Sequence, residues 1–489
     1  MYSSGGAVSF VGETPETPRR YARGVHEETL RSRSLWLDQL DGPIAGREGL
    51  AGDVDVDVAI VGGGYSGLWA AHSLLRADPS LRVLVIEREM VGFGASGRNG
   101  GWCVGELAGG LAGAVTTWGR PAGVAMTRAI VDTVAEIGRA ISADRIDCGF
   151  EAGGVIRLAR TAPQLARQDS EVDQYREHGF GDDVLRPLDA AEASGRLAAT
   201  DVLGGLHYAP GARVDPARLA RGLADVVERL GATIVERTTA TDIIAGSPAA
   251  RPVVVTGCGR VRADVVVRAT EAYTRDLPGL RRLLVPLYSL MVATEPLDAS
   301  TWESIGLRNR ETFADDRRMV IYGQRTTDDR IAFGGRGAPY RFGSGIDAAL
   351  ETNSVIHDRV VTTLVELFPQ LAGVDITHRW GGVLGVPRDW RPSVGFDRST
   401  GLAWAGGYVG EGVAAANLAG RTIADLVLRP DSALAALPWV QHRSPRWEPE
   451  PLRWAAVNGA RRLAGWIDEQ ESERQRTPRR AAALDRIVG

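Results

Sequence analysis

The run Gly62-Gly63-Gly64-Tyr65-Ser66-Gly67 constrains this chain more than any other feature: it is a G-x-G-x-x-G pattern entered directly from an apolar stretch. Val56, Val58, Ile60 and Val61 read as a short strand ending in the glycines. Residues 67–77 read as a helix leaving them, and Leu81–Ile86 as a second strand. Strand, glycine turn, helix and strand in this order make a parallel βαβ unit. Gly62 permits the tight turn, Gly64 lets the backbone approach a pyrophosphate, and Gly67 lets the helix pack closely on the strand. The helix N-terminus then offers its free N–H groups to the anion. In a chain with 60 glycines such a run also arises by chance, so its context matters. The second strand ends in Glu87, twenty residues past Gly67. An acid there accepts both hydroxyls of a ribose and repels a 2′-phosphate, which points to a dinucleotide other than NADP. Tyr65, Ser66 and Arg88 flank these positions and join them as candidate cofactor contacts.

Two further glycine stretches narrow the ligand. Gly92-Phe-Gly94-Ala95-Ser96-Gly97-Arg98-Asn99-Gly100-Gly101 has five glycines in ten residues, directly after the second strand. Such a loop presents unhindered N–H groups along a long ligand, with Ser96 and Asn99 as side-chain donors. Far downstream, Gly406-Gly407-Tyr408-Val-Gly410-Glu-Gly412 feeds a helix from Val413 to Leu428, again a place for an anion or dipole. Read alone, each stretch is also an ordinary surface loop or capping turn. A reduced flavin carries negative charge near N1 and O2 of its ring, which suits such a helix start.

The chain has no lysine; all 57 basic residues are arginine. This excludes a pyridoxal phosphate Schiff base, a phosphate loop ending in Gly-Lys-Ser/Thr, and a lysine general base. The net charge of −4 gives no reason to expect nucleic acid or an anionic membrane as a partner. Cys103, Cys148 and Cys258 are too few and too scattered for a disulfide framework or a zinc site, and read as reduced thiols. The histidines form no helical pair, so no metal is expected. No apolar run is long enough to span a membrane. Arg19-Arg20 lacks the apolar stretch of an export signal, and a cytoplasmic location is expected.

Residues 1–50 read as a mobile arm with one packed piece, Leu35-Trp36-Leu37. Residues 120–200 look mostly helical. Pro216–Leu230 reads as an amphipathic helix, and strands at 233–235, 253–255, 261 and 265–267 return the chain to α/β order. Residues 280–340 look strand-rich and 347–368 helical. No repeat is visible, so the expected fold class is α/β: one nucleotide-binding domain interrupted by insertions. Its parts are 51–150, 211–275 and 371–430; the insertions 151–210 and 276–370 build a substrate domain; 1–50 is an arm and 431–489 a helical tail.

With these segments in order, the chain resembles the FAD-dependent amine and amino-acid oxidases, the family of D-amino-acid oxidase, glycine oxidase and sarcosine oxidase. It is most similar to the γ-glutamylputrescine oxidoreductase-like branch. The matching segments are Val58–Leu68, Gly94–Gly101, Val285–Pro296, Arg379–Gly382 and Gly406–Val413, with Trp447–Trp454 in the tail also similar. The resemblance implies a Rossmann-like FAD-binding domain of the glutathione-reductase-like superfamily, interrupted by an α+β substrate domain with an antiparallel sheet. It implies that Gly62, Gly64, Gly67 and Glu87 hold the ADP half of FAD. Gly94, Ala95, Ser96, Arg98, Asn99, Gly100 and Gly101 would line the pyrophosphate and ring, Ala240 would meet adenine, and Gly407, Gly410, Gly412 and Val413 the flavin ring. Three departures stand out. There is no cysteine after Cys258 to carry a covalent flavin, so the FAD is expected to be non-covalent. There is no lysine to promote reaction with oxygen. Glu271 stands where relatives usually have glycine or asparagine.

The implied reaction removes hydride equivalents from the carbon beside an amine nitrogen, and the imine then hydrolyses to a carbonyl and an amine or ammonia. Oxygen or another acceptor reoxidises the flavin. Candidate residues for orienting the amine, amino acid or anionic amine are Tyr288, Tyr322, Arg325, Arg336, His378, Trp380 and Tyr408. Aromatics can cage an amine and arginine can clamp a carboxylate, although most such side chains are core or surface residues. Two alternatives stay open: a flavin hydroxylase using NADH, and an FAD-binding electron-transfer subunit without a substrate of its own.

Overall fold

The computed structural model describes residues 23–481 and Leu484, with the side chains of residues 23–26 and of Arg336 outside that description. The expected mobility of the arm's first residues therefore falls outside the described chain. Its packed piece is a short helix, Leu35–Asp38, with Leu35, Trp36 and Leu37 buried.

The first sheet has six strands, in the order 393–397, 402–406, 265–268, 58–61, 83–86 and 233–235. All neighbours are parallel except the outermost pair, 393–397 and 402–406. Val58–Val61 and Val83–Ile86 are buried at every position, because a central parallel strand is covered on both faces. One face carries the helices Tyr65–Ala77, Pro216–Arg229 and Gly412–Leu428, through a core that includes Leu68, Leu74, Leu223 and Leu418. The other face carries a four-stranded sheet of 54–55, 240–244, 253–256 and 259–262, packed through Val254 and Val261 onto Ala59, Leu84 and Val266. The valines at 253–255 and 261 thus form a separate layer rather than extra strands of the parallel sheet. From 58–61 the chain steps one way to 83–86 and later the other way to 265–268. A crevice therefore opens at the carboxyl ends of these strands, where the order reverses.

The helices Tyr65–Ala77 and Gly412–Leu428 cross closely at Gly420. A Cβ there would stand 2.5 Å from the Trp69 carbonyl carbon and 2.7 Å from Ala70 N. This crossing fixes both helix N-termini toward the same crevice.

The second sheet has eight strands, in the order 376–386, 285–294, 331–336, 321–325, 312–315, 155–159, 204–208 and 185–188. It is antiparallel except where 312–315 runs parallel to 155–159. Phe313, Phe333, Phe368 and Leu364 fill its core beneath the helix Ser354–Leu367. The region 120–200, expected to be mostly helical, supplies two of these strands between its helices. Ile376–Val386, expected with the nucleotide-binding part, pairs along its length with Val285–Thr294 instead. Hydrogen bonding to a ten-residue neighbour overrides its position in the chain. This pair of strands roofs the crevice of the parallel sheet. Among the described residues no helix is long and apolar enough to cross a membrane.

Candidate active site

A long cleft runs from the ends of the parallel strands to the underside of the antiparallel sheet. At its inner end lie Gly62, Gly64, Tyr65, Ser66, Glu87 and Arg88. Gly62 has φ +116°, a conformation that favours glycine, and a Cβ there would collide with the Ala269 carbonyl. A Cβ at Gly64 would reach Ser96 Oγ at 2.9 Å. Gly67 faces away from the cleft: a Cβ there would collide with the Gly62 carbonyl, so this glycine serves the close packing of helix on turn. The helix opens at Gly64, which has no side chain to cap it. Tyr65 N–H donates to Ser96 Oγ at 2.9 Å, tying the first glycine turn to the second glycine loop.

Glu87 accepts from Gly63 N–H at 2.7 Å through one oxygen and from Glu89 N–H at 2.9 Å through the other. Burial pushes its carboxyl above the usual range, against these two donors. Each oxygen keeps accepting capacity toward the cleft. Thr238, Thr239 and Ala240 form the adjoining wall, and Arg88 stacks over the Tyr273 ring at 4.5 Å.

Along the cleft follow Gly94, Ala95, Ser96, Arg98, Asn99 and Gly100. Arg98 is 1% exposed and paired with Glu351 at 2.7 Å. Gly101 lies behind, where a Cβ would collide with Gln324 and the Val214 carbonyl. A Cβ at Gly100 would collide with the Tyr322 ring, so glycine here leaves space between loop and ring. Tyr322 itself lines the cleft, hydrogen-bonded to Ser289 Oγ at 2.7 Å and edge-on to Trp102 at 5.8 Å.

The far wall is the start of the helix Gly412–Leu428. Gly410, Gly412, Val413 and Tyr408 line the cleft there, with the Tyr408 hydroxyl 2.9 Å from Ser66 Oγ. Gly407 stands outside it and donates its N–H to Glu271 at 2.9 Å, while Gly385 N–H donates to the other Glu271 oxygen at 3.2 Å. Burial pushes the Glu271 carboxyl up to about 7, against those donors and the Arg268 charge. Glu271 has φ +41°, a left-handed conformation that glycine or asparagine adopts more readily.

Several sequence candidates lie elsewhere. Trp380 is 1% exposed and sits behind the glycine loop, its indole N–H donating to the Arg98 carbonyl at 2.9 Å. His378 is at the surface beside Asp38, 3.2 Å away. Arg325 stacks on Trp302 at 4.4 Å and pairs with Asp329 at 2.8 Å. The Tyr288 hydroxyl accepts from Asp347 N–H at 2.7 Å, away from the cleft. Strand geometry explains Arg325: Tyr322 faces the cleft, and a residue three further along the strand points to the opposite face. His378 and Trp380 are in phase with Gly382 and Leu384, but they stand further along Ile376–Val386, beyond the stretch that lines the cleft. Arg336 is described only by its backbone, which pairs with Ser289. Sequence reading missed Trp102, Ser289, Tyr273 and the 238–239 pair, and met Glu271 only as a departure from the family pattern. Ser289 carries a signal after the fact, a small polar residue inside the apolar strand Val285–Thr294.

The family model described as FAD-dependent oxidoreductase (DAO) matches residues 57–426 of this chain. The chain belongs to the DAO family of FAD-dependent oxidoreductases. γ-Glutamylputrescine oxidoreductase of Escherichia coli strain K12 is 31% identical over 391 residues, covering 79% of this chain and 87% of that protein. Glycine oxidase of Geobacillus kaustophilus is 27% identical over 395 residues, covering 78% and 96%. The crystal structure of glycine oxidase from Geobacillus kaustophilus superposes with a TM-score of 0.65 at 23% identity, covering 80% of this chain and 99% of that one, which shows the shared DAO fold. The cleft fits FAD, the cofactor of this family, on its own terms. Glycines stand where Cβ atoms would fill the space or collide, and two helix N-termini converge on a lining with a half-buried acid at one end.

Proposed function

We propose that this chain binds FAD non-covalently and oxidises the C–N bond of a small amine or amino acid. The observation that carries the proposal is the continuity of one cleft. It runs from a half-buried acid suited to a ribose, past two glycine turns, to an aromatic wall under the antiparallel sheet. Glu87 would accept the ribose hydroxyls, and Tyr65, Ser66, Arg88 and the loop Gly94–Gly100 would follow the pyrophosphate and ring. Ala240 would face adenine. Gly410, Gly412 and Val413 would bring a helix dipole to the ring edge that gains charge on reduction. When bound, FAD supplies the two-electron acceptor.

The substrate side of the cleft is formed by Trp102, Ser289, Val320, Tyr322 and Leu384. Trp102 and Tyr322 present aromatic surface to an amine, and the Ser289–Tyr322 hydroxyl pair offers one polar point to orient it. Apolar neighbours exclude water from the reacting carbon. The names of the similar proteins, γ-glutamylputrescine oxidoreductase and glycine oxidase, support an amine or amino-acid substrate. An anionic amine stays within this substrate class. Three free cysteines, two of them buried, support a reducing cytoplasmic location.

The test is anaerobic mixing of the purified yellow protein with a panel of small amines and amino acids. Bleaching of the flavin band by one class identifies the substrate; no bleaching by any of them defeats the proposal. Flavin that remains with acid-precipitated protein would show a covalent link and defeat the non-covalent part.

A further inference from the structure

We propose that Ser34, Trp36, Gln324 and Trp380 are positioning residues that hold the glycine loop from behind, turning it into a surface of donors facing the cofactor. The proposal rests on the FAD reading of the cleft given above.

Four successive carbonyls of the loop are each held by a side chain, the donors coming from three separate parts of the fold. Gly97 O accepts from Ser34 Oγ at 3.1 Å, and Arg98 O from Trp380 Nε1 at 2.9 Å. Asn99 O accepts from Trp36 Nε1 at 2.8 Å, and Gly100 O from Gln324 Nε2 at 2.7 Å. Gly101 O then accepts from Val214 N–H at 2.9 Å. The earlier carbonyls are used within the loop. Gly94 O takes Gly97 N–H, while Ala95 O and Ser96 O share the Asn99 side-chain amide at 3.1 and 3.2 Å. Every carbonyl from Gly94 to Gly101 is thus occupied.

The N–H groups are not. Those of Ala95, Ser96, Asn99 and Gly100 have no protein acceptor among the described residues, and all four residues line the cleft. Gly100 is buried and Ala95, Ser96 and Asn99 are half-buried; peptide N–H groups drawn back from bulk water need a partner, so this asymmetry points to an acceptor supplied by a ligand. A carbonyl facing the cleft would repel a pyrophosphate or the negative edge of a reduced ring.

The indoles suit this task because Nε1–H only donates. If the Asn99–Gly100 peptide flipped, Trp36 would lose its partner inside the core. Trp36 and Trp380 are each 1% exposed and brace one another edge-to-face at 6.2 Å. Trp36 and Ser34 lie before residue 57, where the family match begins. The short helix Leu35–Asp38 therefore belongs to the cofactor site although its side chains never enter the cleft.

The test compares full-length protein with Trp36→Phe, Trp380→Phe and Gln324→Leu, each removing one rear donor. Trp69→Phe is the control, because the Trp69 indole nitrogen is buried without a partner and holds no carbonyl. The readouts are the FAD dissociation constant and the reduction potential of bound flavin; a merely structural role would not move the potential. Each rear variant should weaken FAD roughly tenfold and lower the potential, while the control matches wild type. If Trp380→Phe fails to fold, the other two carry the test. Rear variants that fold and keep wild-type affinity and potential overturn the proposal alone. Wild-type protein that takes up no FAD overturns the reading of the cleft, and the proposal with it.

Discussion

Two carboxylates show how one residue type takes different roles in the cleft. Glu87 keeps accepting capacity toward the ligand, so Glu87→Gln should weaken FAD binding roughly 10- to 100-fold while leaving the fold intact. Titration of the deflavinated protein measures this, and an unchanged dissociation constant would remove Glu87 from the site. Glu271 faces the backbone of Gly385 and Gly407 and has its carboxyl pushed up to about 7, from an ordinary 4.5. Between these values the folded protein keeps a proton that the unfolded chain has released. The resulting contribution to stability is whole below about pH 4.5 and is lost as pH rises through 7. Glu271→Gln cannot ionise, so from pH 5 to pH 8 the wild type should lose stability relative to this variant, on the order of a few kcal/mol. Paired thermal melts at the two pH values measure it; a constant gap would mean that Glu271 does not titrate in this range. Glu87 was legible from its spacing after Gly67. Glu271 stood out in sequence only as a departure, because its partners come from strands more than a hundred residues away.

Elements were more legible than the contacts between them. The first glycine turn, its helix and both flanking strands follow from local pattern alone, since parallel strands buried on both faces read as continuous apolar runs. The partner of Ile376–Val386 was not legible, because strand pairing is set by long-range hydrogen bonds that leave no local mark. The same holds for Trp380: its motif drew attention correctly, but whether an indole faces a cleft or the back of a loop depends on its strand neighbour. The helix crossing at Gly420 was also invisible, being one more glycine among 60. Its role yields a sharp expectation. Gly420→Val should force the helices Tyr65–Ala77 and Gly412–Leu428 apart, costing about 3 kcal/mol and loosening the flavin. Urea unfolding and flavin retention measure this; a variant as stable as wild type would show that the crossing has slack.

At the scale of the molecule, the missing lysine bears on where the electrons go. Oxygen accepts its first electron more readily beside a fixed positive charge. Of the arginines that line the cleft among the described residues, Arg98 is held by the Gly381 carbonyl and by Glu351, a carboxylate it shares with Arg33, and Arg88 lies at the ribose end over Tyr273. Reoxidation by air should therefore be slower than reduction by substrate, and an artificial acceptor should speed turnover. Stopped-flow reoxidation at varied oxygen measures this; air that keeps pace with reduction would show the charge is supplied elsewhere. The interleaved sheet has a further effect, on how the protein is made. The glycine turn at Gly62–Gly67 leaves the ribosome well before the strand 402–406 and the helix Gly412–Leu428 that complete its surroundings, which follow only after the whole of the antiparallel sheet has been made. At about 5–20 residues per second, the apolar face of Tyr65–Ala77 waits roughly tens of seconds for its cover. Chains stalled before the helix Gly412–Leu428 should hold no flavin and depend on a chaperone, so cofactor insertion follows the closing of the parallel sheet rather than seeding it.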